Sequence, residues 1–293
     1  MRTTHAVTAA IAVAVIVSPM QSAAASALTQ IINATFARLQ SYPVPPYAIW
    51  TATWHITQTP MGYNTGTTSG VEVHRYAVRL ADGMENVSDP SPNGKLPPAL
   101  ILPEFLGPFA WTLRSSVRVP ASGNGASMLP DVEGLKTIAR VTAFAQPAYA
   151  LVKSPPPIEN VGGHPSYHLE LRPLGDPRKH NLRDLWIDVS TYDLWKAHFV
   201  GTYTPGPGAP ISPTDATVYF RQVVGCWVVT HALWTYDDPP SHFDFDVTNN
   251  EIGVPPTLPD WLFDAREYRK HQDAGEPDYI GEVLDRLRNG AKP

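Results

Sequence analysis

The chain holds one cysteine, Cys226, so no intrachain disulfide and no cysteine-built metal cluster can form. Charged residues are scarce: they make up 17% of the sequence, against roughly 25% in an average soluble domain. The net charge is −5 and the pI about 6.0. A sequence-independent nucleic-acid binder usually shows a basic footprint, and none is visible here. Also missing are G-x-S-x-G, H-E-x-x-H, a phosphate-binding glycine loop and a dinucleotide fingerprint. The familiar routes to hydrolysis and nucleotide chemistry therefore have no foothold, and no cofactor is implied. Proline, by contrast, is abundant, at 31 of 293 residues, about twice the usual ~5%. It breaks helices and is excluded from central strands, so the chain must be heavily punctuated. Apolar residues reach 43%, enough for a sizeable core.

The first segment reads as an export signal. Arg2 supplies a positive start, Ala6 to Val17 is small or apolar apart from Thr8, and Ala25-Ser26-Ala27 gives the small-x-small pattern that a signal peptidase reads. The apolar run is about a dozen residues, short of the roughly 20 that span a bilayer. Cleavage is expected near Ala27, giving an exported protein of the periplasm or beyond.

Leu28, Ile31, Ile32, Phe36 and Leu39 form one stripe of a helix over 28–42, which Pro43, Pro45 and Pro46 end. The period then changes. Ala48, Trp50, Ala52, Trp54 and Ile56 alternate with Ile49, Thr51, Thr53, His55 and Thr57, as in a strand. Further strands are expected over 71–80, 84–88, 136–144, 149–153, 166–172, 183–189, 194–203, 216–224, 227–236 and 243–247. Their short connections require antiparallel pairing. About ten strands in one series favour a single large sheet, which curls as twisted sheets of that size do. Residues 96–113 hold Leu100, Ile101, Leu102, Phe105, Leu106, Phe109 and Trp111, broken by four prolines. Short apolar helical turns are expected there, either a plain surface loop or a lid over a cavity. A terminal amphipathic helix is expected over 278–288.

Candidate chemistry is sparse. His242, Asp244 and Asp246 share a strand face, with Phe243 and Phe245 on the other. This trio could hold a metal, although the same alternation describes any half-solvated strand. His164 and His168 lie about 13 Å apart along their strand, too far to ligate one metal. The same spacing separates Asp184 from Asp188 and fits paired glycosidase carboxylates poorly. The positive signal is aromatic, with eight tryptophans, of which Trp50, Trp54, Trp186, Trp195, Trp227 and Trp234 fall on expected strands. Core packing explains them, and so does an apolar cavity inside a curled sheet.

Three stretches resemble the bacterial outer-membrane lipoprotein carrier superfamily (LolA/LolB-like). They are Leu185-Trp186-Ile187-Asp188-Val189-Ser190-Thr191-Tyr192, Val224-Gly225-Cys226-Trp227-Val228-Val229, and the run from Asn249-Asn250-Glu251 to Leu258-Pro259-Asp260-Trp261-Leu262-Phe263. The resemblance covers residues 28–263 and leaves 264–293 as a charged extension with a helix. It implies a mainly β protein with flanking helices: an unclosed antiparallel β-barrel, or half-barrel, with an N-terminal helix and a helical lid at 96–113. It further implies a hydrophobic cavity for the acyl chains of a lipid or lipoprotein, no catalysis, envelope protein partners and transient contact with a membrane surface. Trp50, Trp54, Phe105, Phe109 and Trp111 are then candidates for cavity or lid. An arginine latch on an early strand would fall to Arg75 or Arg79. The competing expectations are an exported hydrolase or metal enzyme built on His242, Asp244 and Asp246, or an envelope protein-binding scaffold.

Overall fold

The computed structural model describes residues 19–62, 66–102, 108–109, 148–177, 180–203 and 212–289, with backbone only over 19–27. A helix, α1 (Pro19–Ser41), leads into twelve strands. These are β1 (Tyr47–Pro60), β2 (Thr68–Arg79), β3 (Met84–Ser88), β4 (Ala99–Leu102), β5 (Tyr149–Leu151), β6 (Ile158–Val161), β7 (His164–Pro173), β8 (Leu182–Asp188), β9 (Leu194–Tyr203), β10 (Ser212–Val223), β11 (Cys226–Asp238) and β12 (Ser241–Gly253). A 3₁₀ turn (Asp260–Phe263) and the helices α2 (Ala265–Asp273) and α3 (Tyr279–Arg288) follow.

The strands form one antiparallel sheet in the order β4-β3-β2-β1-β12-β11-β10-β9-β8-β7-β5, with β6 also on β7. Its two edges do not pair among the described residues, so the sheet is unclosed. Twelve strands stand where about ten were expected. β6 was not foreseen. β4 occupies residues expected to form helical turns. Pro97 and Pro98 precede it, and such a flank is tolerated because β4 is a four-residue edge strand. Residues 103–107 and 110–113 of the 96–113 segment lie outside the described residues, as does the strand expected over 136–144. Residues 1–18 of the expected signal also lie outside them. α1 starts at Pro19 and runs unbroken past Ala27.

Alternation along the strands sorts the core into two clusters. On one face, residues from every strand except β4 and β6 join Ile31, Ile32 and Leu39 of α1 and Tyr42 just beyond it. Eleven laterally paired strands at about 4.8 Å would spread over about 48 Å if flat. Gathering them around one helix requires a curled sheet, with α1 on the concave side. On the convex face of β1 and β2, Ile49 and Ala77 are covered by Leu258, Leu262, Phe263, Tyr268, Ile280, Val283 and Leu284. The C-terminal extension thus packs on the sheet, and Gly253 lets α3 approach closely: a Cβ there would meet Leu287 Cδ1 at 2.2 Å.

The sequence accounts for the ends of these elements. Asp264 caps α2 through the backbone N–H groups of Arg266 and Glu267, and Asp278 caps α3 through that of Gly281. At the β8–β9 corner, Asp188 accepts hydrogen bonds from the backbone of Ser190 and Thr191, the Ser190 hydroxyl and Trp195 Nε1. Although burial opposes it, this donor set holds the Asp188 carboxyl far below the usual carboxylate range.

Candidate functional site: an aromatic concave face

The concave face divides along the strands. Near the β8–β9 and β10–β11 corners it is closed by the end of α1. Asp193, buried at the first of these corners, accepts hydrogen bonds from Arg38 Nε (2.7 Å), the Tyr42 hydroxyl (2.7 Å) and Thr191 Oγ1 (2.8 Å). Tyr42 also stacks on Trp227 at 5.3 Å. Burial, then the bond to Asp193, pushes the Tyr42 hydroxyl up to about 12. Trp50 lies in this closed half, 1% exposed and stacked on Tyr76 at 4.9 Å.

Toward the β1–β2 and β11–β12 tips the burial relaxes. β1 is buried over Ala48–Trp50 and at Ala52 but only half-buried beyond, and β11 is buried over Cys226–Val229 but mostly half-buried after that. Five rings occupy this open half on the concave side: Trp54, Trp234, Tyr236, Phe243 and Phe245. Cross-strand register brings them together, with Trp234 opposite Phe245 and Tyr236 opposite Phe243. Phe245 lies 4.9 Å from Trp234 and 5.6 Å from Tyr236, near-parallel to both, and meets Trp54 edge-on at 5.8 Å. Trp234 Nε1 donates to Thr214 Oγ1 at 2.5 Å, fixing the indole. The ring faces are turned to one another, so the cluster presents a wide apolar floor and few free faces. At its margin, His74 sits between Asp89 (2.9 Å) and Glu72 (3.1 Å), edge-on to Trp54 and Tyr76.

Of the site residues expected from sequence, Trp50 and Trp54 lie on this face. Phe109 is buried in its cluster, and the Pro108 carbonyl accepts from the Val229 N–H at 2.9 Å. Phe105 and Trp111 lie outside the described residues. Arg75 and Arg79 are placed elsewhere: Arg75 faces α3 and pairs with Asp278. Arg79 pairs with Asp82 (2.7 Å) and Asp260 (3.1 Å) beneath the Phe263 ring. Both bind the C-terminal segment to the convex face. His242, Asp244 and Asp246 are not brought together as a metal site. His242 contacts Asp237 (2.6 Å) and Asp244 (3.3 Å), whereas Asp246 engages His231 at 2.7 Å. Among the described residues no group of three or more His, Cys, Asp or Glu side chains could hold a metal ion. Sequence reasoning missed Tyr236, Phe243 and Phe245 as parts of a site. Their signal was the W-x-Y of β11 facing the F-x-F of β12.

The fold and site thus define an unclosed antiparallel sheet with an aromatic concave floor. No family model matches the chain, and no curated protein matches it. Solved structures do show likeness. One is described as an outer membrane lipoprotein-sorting protein domain from Vibrio parahaemolyticus (12% identity, 84% of this chain and 99% of that one, TM-score 0.38). A second is a LolA superfamily protein from Nitrosomonas europaea (13%, 79% and 96%, TM-score 0.28). A third is a DUF1329 family protein from Desulfovibrio piger (14%, 83% and 98%, TM-score 0.33). No helix among the described residues is long and apolar enough to cross a membrane.

Proposed function

We propose that the concave face receives the acyl chain of a lipid or of an acylated lipoprotein, and that the protein is a binding and transport protein of the bacterial envelope. It works by burial, without covalent chemistry. The observation that carries this reading is the five-ring cluster of Trp54, Trp234, Tyr236, Phe243 and Phe245, half-buried on a concave face whose other half is closed by α1. Rings turned face to face offer little for stacking a sugar or a base, but their joint surface suits a flexible methylene chain. Each methylene removed from water contributes ~0.8 kcal/mol. Association costs roughly 4–15 kcal/mol, so about a dozen methylenes are needed before binding shows, and long chains are selected over short ones. Residues 1–27 act as the export signal in this reading. Phe105, Phe109 and Trp111 belong to a cover over the cavity, and envelope partners hand the cargo on. Arg75 and Arg79 hold the C-terminal segment.

Native mass spectrometry of protein purified from its own envelope, followed by organic extraction, tests this directly. A co-purified lipid or acylated peptide is the expected result. In parallel, Phe245→Ser should weaken uptake of a fluorescent long-chain fatty acid at least tenfold while the far-ultraviolet dichroism stays unchanged. Phe245 is preferred to Phe109, which is buried in the cluster, so that its loss disturbs packing as well. An empty protein that takes up no fatty acid refutes the reading.

A further inference from the structure

The convex face carries a second arrangement, independent of the aromatic floor. Side chains from five adjacent strands meet in one transverse line. Glu159 of β6 contacts His168 Nδ1 of β7 at 2.8 Å, and His168 Nε2 contacts Asp184 Oδ1 of β8 at 2.8 Å. Asp184 Oδ2 contacts His198 Nδ1 of β9 at 2.8 Å, and His198 Nε2 contacts Asp215 Oδ2 of β10 at 3.1 Å. Acid and imidazole alternate without a break, and each imidazole has a carboxylate on both ring nitrogens.

That pattern fixes the proton count. An ionised carboxylate only accepts hydrogen bonds, and a neutral imidazole donates from one nitrogen alone. Two carboxylates on one ring are both satisfied only if the ring carries both protons or a carboxyl carries one. We propose that His198 acts as an imidazolium cross-tie, that His168 continues its line, and that the line from Glu159 to Asp215 is a proton-dependent brace across the sheet. The surroundings support charge on the His198 ring. Hydrogen bonding to Asp184 raises the His198 pKa, its burial notwithstanding. Asp184 is held below its ordinary value because the bonds from His198 and His168 together outweigh its burial. Glu159 is lowered, first by the bond from Trp186 Nε1 and then by that to His168. The other charged groups facing the line do not interrupt it. Lys196 lies over the Trp186 ring at 4.1 Å. Arg183 gives its guanidinium to the carbonyls of His180, Leu182 and Val200. Glu170 pairs with Lys153 at 3.1 Å.

The sign follows from linkage. A histidine raised on folding contributes stability below its unfolded value near 6.5, which is lost as pH rises through the folded value. A lowered carboxylate contributes above its unfolded value near 4 and loses this as pH falls. The contribution of His198 is therefore complete in mildly acid solution, between the two unfolded values, and is lost as pH rises through its raised folded value. The strands stay hydrogen-bonded through their backbones, so what opens is the tie between convex side chains.

The test is ring-nitrogen NMR of the intact protein labelled at histidine, followed from pH 5.5 to 9. His198 should show both nitrogens protonated at pH 6 and titrate above an exposed histidine. A neutral tautomer at His198 at pH 6 overturns the proposal, and this readout needs no variant. Thermal unfolding adds an independent check. The parent midpoint should fall by roughly 2–4 °C between pH 6 and 8.5, and His198→Gln should remove most of that fall. An equal fall in the variant overturns the brace. Neither measurement involves a lipid, so the outcome is separable from the acyl-binding proposal.

Discussion

Replacing Asp193 with alanine should loosen the end of α1 from the sheet, by an amount that its neighbours set. The carboxylate is buried, with side-chain exposure of 7%, whereas the Arg38 side chain is 41% exposed. The ion pair itself is screened and contributes about 0–1 kcal/mol. The Tyr42 hydroxyl is different. It is held inside the cluster against Trp227, and without Asp193 it keeps no acceptor among the described residues, which costs about 1–3 kcal/mol. The sum is near 3 kcal/mol, or a midpoint lowered by roughly 6–12 °C in a domain of this size. Urea unfolding followed by tryptophan emission measures it, because Trp227 reports on the joint. Tyr42→Phe supplies the control. It keeps the ring stack, removes one hydroxyl and should cost about 1 kcal/mol. The double variant should cost less than Asp193→Ala alone, since removing the hydroxyl also removes the buried donor left without a partner. If Asp193→Ala unfolds within about 0.5 kcal/mol of the parent, or if the two losses simply add, the joint is not as described.

The same joint predicts an alkaline response. Tyr42 is raised to about 12 on folding, above an unfolded value near 10. Its contribution is thus complete below pH 10 and is lost as pH climbs toward 12, and in an ultraviolet titration Tyr42→Phe should remove one late-ionising tyrosine, while Tyr76 and Tyr268, which burial raises further, remain. Gly253→Ala should push α3 off β12, because the new Cβ meets Leu287 at 2.2 Å and buried Ile49 at 3.3 Å. Overpacking of this kind costs about 1–3 kcal/mol, and adding Leu287→Ala should recover part of it. Unchanged denaturation of Gly253→Ala would mean that α3 is not seated there.

Most of the sheet was legible because its strands alternate and their turns are short. The expected β3 over 84–88 and β9 over 194–203 match their observed bounds, and the other long strands differ chiefly at their ends. Composition hid the rest. β4 is four apolar residues among prolines, so no period can show. In α2, AREYRKHQD buries only Tyr268 and offers no apolar stripe, though Asp264 followed three residues on by Glu267 was a start signal. The candidate site was half visible. The Phe243/Phe245 alternation could be read, but not that Trp234 and Tyr236 lie opposite, because register is a property of the pairing. Asp184 and His168 were weighed only within their own strands, where spacing separates chemical partners. The neighbours that matter come from the next strand, about 4.8 Å away.

The place of β1 in the sheet has a consequence for how the molecule forms. β1 pairs β2 on one side and β12 on the other, so the first strand made is hydrogen-bonded to the last. That seam is the lateral join between the β1–β4 half and the β5–β12 half of the sheet. Every contact across it closes a loop of nearly two hundred residues, such as Ala52 with Asn249. Pairing at such separation is slow, because the loop entropy is spent before any bond returns it. A growing chain therefore cannot assemble the concave floor until β12 has been synthesised, since Trp54 comes from one side of the seam and Phe245 from the other. Until then the aromatic strands of both halves stay open to solvent, and the interval between translation and closure is when the molecule is most exposed to aggregation.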